Sequence, residues 1–169
     1  MDWKAFLTGV EASWLSVWVR ESPSLLAFPA IIALHAIGMA LLVGANIAMD
    51  LRVLGVSPRI PLSVLDTLFP VMAIGFWVNA TSGVLLLLAY PAKALTNPLF
   101  YAKLTLIALA LVAARSIWKR MPGDREAVAR PVASKLKMLA GLSLALWAAA
   151  IVAGRFLAYT YRYLSAYDL

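Results

Sequence analysis

Residues 25–49 read LLAFPAIIALHAIGMALLVGANIAM, an apolar run whose one ionisable side chain is the imidazole of His35. A helix that long covers about 37 Å, more than the ~30 Å of hydrocarbon in a bilayer. Three later runs share its character, at about Leu68–Tyr90, Leu99–Trp118 and Met138–Tyr161. The composition agrees: 63% of residues are hydrophobic, and the 14% that are charged gather between the runs. A soluble domain alternates charges with about 45–50% apolar residues. The 169 residues therefore read as one all-α domain, an integral membrane protein whose four spans and short connections imply an antiparallel four-helix bundle.

Ahead of the spans, MDWKAFLTGVEASWLSVWVRESP lacks the compact apolar centre of a secretion signal. Trp3, Phe6, Leu7, Val10, Trp14, Val17 and Trp18 follow the spacing of one helical face. The expectation is an amphipathic interfacial helix over 2–20, within an N-terminal segment 1–22. The alternative is a helix packed on a partner's bundle. Ser22-Pro23 is placed to cap and open the first span, which puts Pro29 inside it, as a kink freeing a carbonyl just before His35. Asp66-Thr67 and Asn97-Pro98 have the same look ahead of spans two and three.

The charges give a direction. Arg52, Arg59, Arg115, Lys119, Arg120, Arg125, Arg130, Lys135 and Lys137 fall on one side of the spans, against Lys4, Arg20, Lys93, Lys103, Arg155 and Arg162 on the other. The side with nine is expected to be cytoplasmic, which places the basic loop 118–137 inside and both termini in the periplasm of a bacterial inner membrane. That asymmetry accounts for the net charge of +7 without nucleic acid, for which no soluble basic module exists. With no cysteine, disulfides, thiolate metal sites and thiol chemistry are excluded.

Ionisable groups inside spans cost about 2.5–3.5 kcal/mol at mid-membrane and each needs a reason. His35, Lys103 and Arg155 are such groups, and Asn79 with Thr81 and Ser82 adds a polar patch to span two. Counting from the terminal side of the expected spans, His35 lies about 15 Å deep, Arg155 about 9 Å and Lys103 about 6 Å. Helical phase sets His35 with Gly38, Met39, Leu42 and Asn46. It sets Asn79 with Gly75, Phe76, Ser82 and Gly83, and Arg155 with Trp147, Ile151, Tyr159 and Arg162. These groups suggest a pocket in the outer half of the bundle.

Neutral imidazole in a dry bundle suits haem iron, and two shallower cations suit the propionates of haem b. The second axial ligand is lacking: Met39 lies on the same side of the iron as His35, and Met72 nearer the other surface. A quinone is the parallel candidate, its carbonyls taking hydrogen bonds from His35, Asn79, Lys103, Arg155 or Tyr159. The blander reading leaves Lys103 and Arg155 reaching outward to lipid phosphates, His35 bonded to a neighbouring helix, and Asp50 with Arg52 as an ion pair at the membrane edge. Metal or small-molecule transport is weaker, because one histidine and scattered methionines make no relay and the sequence offers no buried carboxylate for a proton couple.

LHAIGMALLVGANIAMDLRVLG, FWVNATSG, NPLFYAKL and GRFLAY together resemble a domain-of-unknown-function family of small four-span bacterial inner-membrane proteins. More distantly the layout looks like the membrane cytochrome b561 and copper-resistance D group, whose members use several histidines where this chain has one. The resemblance implies four spans and an inner-membrane location. The leading expectation is then binding of haem b or a quinone for electron transfer, with the bilayer and a periplasmic or membrane redox partner. His35 is the iron ligand or hydrogen-bond partner, Lys103 and Arg155 neutralise an anionic group, and Asn79 and Tyr159 donate from behind. The competing expectation is an accessory or scaffold subunit without cofactor, its small-residue faces serving a partner or a homo-oligomer.

Overall fold

The computed structural model describes residues 3–56, 58–61, 63–120 and 132–164. Among these the chain forms α1 (Trp3–Glu11), α2 (Trp14–Glu21), α3 (Phe28–Leu54), α4 (Val64–Ala89), α5 (Pro91–Leu95), α6 (Pro98–Arg120) and α7 (Ser134–Leu164), and no strand. Helices α3, α4, α6 and α7 are long and apolar enough to cross a membrane. The chain is an all-α, multi-pass membrane protein built as a four-helix bundle. α3 packs most extensively on α4 and α6 on α7, and a contact between α3 and α7 joins the two hairpins. Residues 121–131, which hold much of the basic loop, and the 165–169 tail lie outside the described residues.

The ends of the first span differ from the expected 25–49. Residues 22–27 turn before α3 begins, and Pro29 occupies its first turn. No intrahelical N–H is required there, so Pro29 opens the helix instead of kinking it. At the far end α3 continues to Leu54 and stops at Gly55, whose φ of 92° is the left-handed conformation that glycine adopts without strain. The Gly55 and Val56 amides close that end on the Leu51 carbonyl at 3.2 and 3.1 Å. Asp50 and Arg52 thus lie inside the helix, both buried. They do not form the expected pair: the Asp50 carboxylate bonds to Asn46, and Arg52 Nε donates to the Ile60 carbonyl.

The single helix expected over 2–20 is two, broken at Ala12-Ser13, where the Ser13 hydroxyl accepts from the Ser16 amide at 3.4 Å. α2 packs on α4, burying Val19 with Ile31 and Ala89. The helical face read from the sequence therefore divides: Leu7 is buried and Trp14 is exposed.

Apolar burial does not drive helix association in lipid as it does in water, so close backbone approach and polar links matter more. Both are present. A methyl group at Gly38 would sit 2.5 Å from the Asn79 amide nitrogen, and one at Gly75 would sit 2.5 Å from that of Leu42. The apolar cluster joining all four long helices occupies the half nearer the basic loop. It runs through Leu42, Met49 and Val53 of α3, Met72 of α4, Ala110 and Ile117 of α6, and Ala140 and Trp147 of α7. Phe69 of α4 stacks on Trp118 of α6 at that end, centroids 4.9 Å apart.

Gly38→Ala is expected to destabilise the bundle by about 1–3 kcal/mol, the cost of overpacking. Gly44→Ala, on the same helix with nothing within 4 Å of the added methyl, is expected to be neutral. Thermal unfolding of both variants in one detergent checks the contrast.

Candidate functional site

The shared cluster ends one to two turns short of His35, and on that terminal side polar groups link α3 to α4. His35 lies on the stripe of α3 that also carries the buried Ile31, Gly38, Leu42, Ala45 and Met49. It is seven residues from the start of α3, about 10 Å deep instead of the expected 15 Å. Ser82 is likewise seven residues from the end of α4, and Lys103 five from the start of α6, about 8 Å deep. Three helices therefore bring these groups to nearly one level.

His35 is held in one orientation. Its Nδ1 lies 3.1 Å from the Asn79 carbonyl oxygen and 3.1 Å from the Ser82 hydroxyl. The Asn79 side-chain nitrogen is farther from Nδ1, at 3.3 Å, and a carbonyl can only accept, so the closer contact has Nδ1 carrying the proton. The Ser82 hydroxyl gives its own hydrogen to the Val78 carbonyl at 2.6 Å, which leaves its oxygen to accept from Nδ1. Asn79 works from the other side, its amide donating to the His35 carbonyl at 2.8 Å. Gly83 makes the room: a methyl there would lie 3.2 Å from the ring's Cε1. The ring is consequently the Nδ1–H tautomer, and Nε2, with no protein partner among the described residues, presents a lone pair.

Lys103 reaches the same region from the second hairpin. Its aliphatic chain lies across Gly154, where a methyl would be 3.4 Å from Cε, and its ammonium is within electrostatic range of His35. Of the five residues singled out in the sequence, His35, Asn79 and Lys103 come together. Arg155 and Tyr159 do not join them. Arg155 follows Gly154, about 100° further round α7, and its side chain is exposed. The face expected to unite Trp147, Ile151 and Tyr159 is split, with Trp147 1% exposed and the other two 48% and 56%. A surface depression of about 360 Å³ on α4, lined by Trp77, Ala80, Thr81, Val84 and Leu85, holds none of the five.

Sequence reading missed a second polar cluster, in the half nearer the basic loop. Asn46, Asp50 and Ser143 are each 0% exposed. The Asn46 amide lies 2.6 Å from Asp50 Oδ2 and 3.0 Å from the Ser143 hydroxyl, which links α3 to α7. Asp50 is the buried carboxylate that was not expected. The signal was available in the four-residue spacing of Asn46 and Asp50, which puts both on one helix face.

Together these features define a four-span membrane protein with an imidazole fixed where the two helices of its first hairpin cross. Neither a protein-family model, nor a curated protein, nor a solved structure matches the chain. Among the described residues no group of three or more His, Cys, Asp or Glu side chains is placed to hold a metal ion.

One histidine allows a direct check. Nitrogen-15 NMR of histidine-labelled protein is expected to show a neutral ring protonated at Nδ1, against the Nε2–H form that dominates in water. Ser82→Ala should leave that tautomer in place through the Asn79 carbonyl, and Gly83→Val, which fills the ring's space, should lose it.

Proposed function

We propose that the chain binds a quinone-type redox head group between His35 and Lys103, and serves electron transfer between the membrane quinone pool and a redox partner. The observation that carries this reading is the orientation of His35. Its Nε2 lone pair, fixed by Nδ1–H bonds on the far side of the ring, accepts the hydroxyl proton of a quinol. The Lys103 ammonium, within electrostatic range of the ring, donates to a quinone oxygen and steadies negative charge on the reduced ring. The flanking surface is apolar and open to lipid, with Leu34 and Leu104 half-exposed, as a ligand arriving through the bilayer requires. The excess of positive residues on the loop side favours a bacterial inner membrane with the termini, and hence this site, toward the periplasm.

Haem b is the second reading, and one observation favours it. A ring whose Nδ1–H bonds to a backbone carbonyl is oriented as metal-bound histidines are. His35 would then hold the iron and Lys103 would neutralise one propionate, and the group would supply one-electron chemistry. The fit is partial. Met39 packs against the apolar cluster and Met72 lies within it, and Arg155 stands outside the site. The described residues thus offer a haem one ligand and one cation, whereas they meet both needs of a quinone head group.

The test is the ligand content of protein purified in mild detergent from membranes rich in quinone and haem. Organic extraction is expected to recover a quinone from wild type and to recover at least tenfold less from His35→Ala of equal thermal stability. An absorption spectrum with and without dithionite separates the readings, since a Soret band lost in His35→Ala assigns haem instead. Folded wild type carrying neither ligand, and taking up neither on reconstitution, sinks both and leaves an accessory subunit.

A further inference from the structure

The Asn46–Asp50–Ser143 cluster lies about 22 Å along α3 from His35, fifteen residues at the helical rise, and the redox reading makes no use of it. Four observations bear on it. Asp50 is 0% exposed inside a membrane-crossing helix. No cationic group among the described residues lies within ion-pair distance of its carboxyl group. The charged side chains described toward this end are Arg52 on α3, Arg59 between α3 and α4, Asp66 on α4, Arg115, Lys119 and Arg120 on α6, and Lys135 and Lys137 on α7. Arg52 is engaged with the Ile60 carbonyl, and all the others are exposed. Lastly, one oxygen of Asp50 and the Asn46 amide oxygen are buried with no hydrogen-bond partner.

An ionised carboxylate in that setting would be a buried charge with no opposite charge beside it and an oxygen lacking a donor, a combination proteins avoid. The separation of 2.6 Å between the Asn46 amide and Asp50 Oδ2 adds geometry. It is shorter than the usual N–H···O range and falls within the O–H···O range. The two ends of a primary amide have the same shape, and turning the Asn46 amide over places its oxygen against Asp50. The Asp50 hydroxyl then donates to that oxygen, as does the Ser143 hydroxyl at 3.0 Å, and the amide NH2 takes the place of the oxygen that had no partner.

We propose that Asp50 is a proton-binding site, and that its proton holds α3 to α7 through Asn46 and Ser143. Binding is the transfer of one proton to the carboxylate oxygen from water on the basic-loop side, one helical turn away at Leu54. The neutral acid closes the Asp50–Asn46–Ser143 chain. Loss of the proton reverses the Asn46 amide, leaves a negative charge in the seam, and loosens the contact joining the two hairpins. A proton couple, which the sequence did not evidently offer, thus has a carboxyl group to act through. The inference does not depend on what His35 binds.

Infrared spectroscopy of wild-type protein labelled with carbon-13 at the aspartate carboxyl reads the proton directly. A labelled carboxylic-acid C=O band persisting at about pH 8 is expected, where a solvated aspartate is ionised. Its absence overturns the proposal, and this measurement needs no variant. Thermal unfolding supplies the second reading. The folded chain keeps a proton that the unfolded chain releases, so wild-type stability should fall with rising pH, by roughly 3–5 °C per unit relative to Asp50→Asn. Parallel pH profiles for the two proteins overturn it. Stabilisation of wild type by sodium over potassium at fixed ionic strength would assign the site to a cation and overturn it equally.

Discussion

Where α3 crosses α4 the two backbones touch, and the rest of the site depends on that contact. Gly38 lies against the amide of Asn79, and Gly75 against the amide of Leu42. In lipid, where burying one more leucine gains little, such approach lets main-chain atoms pack and puts polar side chains within reach of the opposite helix. Asn79 is both the residue pressed on Gly38 and the residue whose carbonyl and amide bracket His35. The crossing that holds the first hairpin together therefore orients the imidazole. A bulkier residue at Gly38 would move the Asn79 carbonyl and release the tautomer along with the helix.

The polar groups of the bundle fall at two levels with an apolar stretch between them. On the terminal side, His35, Asn79 and Ser82 satisfy one another and leave a single lone pair unused. On the loop side, Asn46, Asp50 and Ser143 leave two oxygens unpartnered. Between the levels lie Gly38 and Leu42, buried and tightly packed. The first level suits a ligand arriving from the membrane plane. The second lies inside the cluster that joins the hairpins, so a change of charge there acts on packing rather than on a ligand. Both levels share α3, a continuous helix from Phe28 to Leu54, and a rigid rod is a physical means by which one could sense the other.

The four spans were legible because uninterrupted apolar length is a direct consequence of bilayer thickness. His35 was legible because an imidazole in such a run is conspicuous, and its partners Asn79 and Ser82 stood out on span two for the same reason. The misreadings concern faces and ends. α3 and α4 are apolar all round, so periodicity does not say which stripe points inward. Helical phase placed Arg155 near Trp147, yet the exposed side of α7 begins between them. Pro29 read as a kink because the apolar run starts at Leu25, but composition does not mark where a helix begins within it. Asp50 read as a membrane edge because it precedes Arg52. Only the continuation of α3 to Gly55, and the facing Ser143 on a helix almost a hundred residues away, bring it inside.

The N-terminal helices finish the terminal side in a way the amphipathic pattern alone does not convey. A helix ends with carbonyls that lack intrahelical donors, and α4 ends at Ala89 beneath α2. There the Ser16 hydroxyl and Arg20 Nη1 both donate to the Ala89 carbonyl, at 3.3 and 3.2 Å. The arginine also places positive charge at the negative end of the α4 dipole. Glu11 accepts from the amide of Ala92 at the start of α5, at 3.4 Å. α2 is thus fastened by polar bonds to the end of the helix that orients His35, and α1 to the start of α5 that follows it, while Trp14, Leu25 and Leu26 remain exposed around them and suit the lipid interface. Seven residues separate Ala89 from Ser82, about 10 Å along a helix. A segment that reads as an independent membrane anchor is therefore also the end-piece of α4, and its loss would expose the last turns of the helix that carries the imidazole's hydrogen-bond partners.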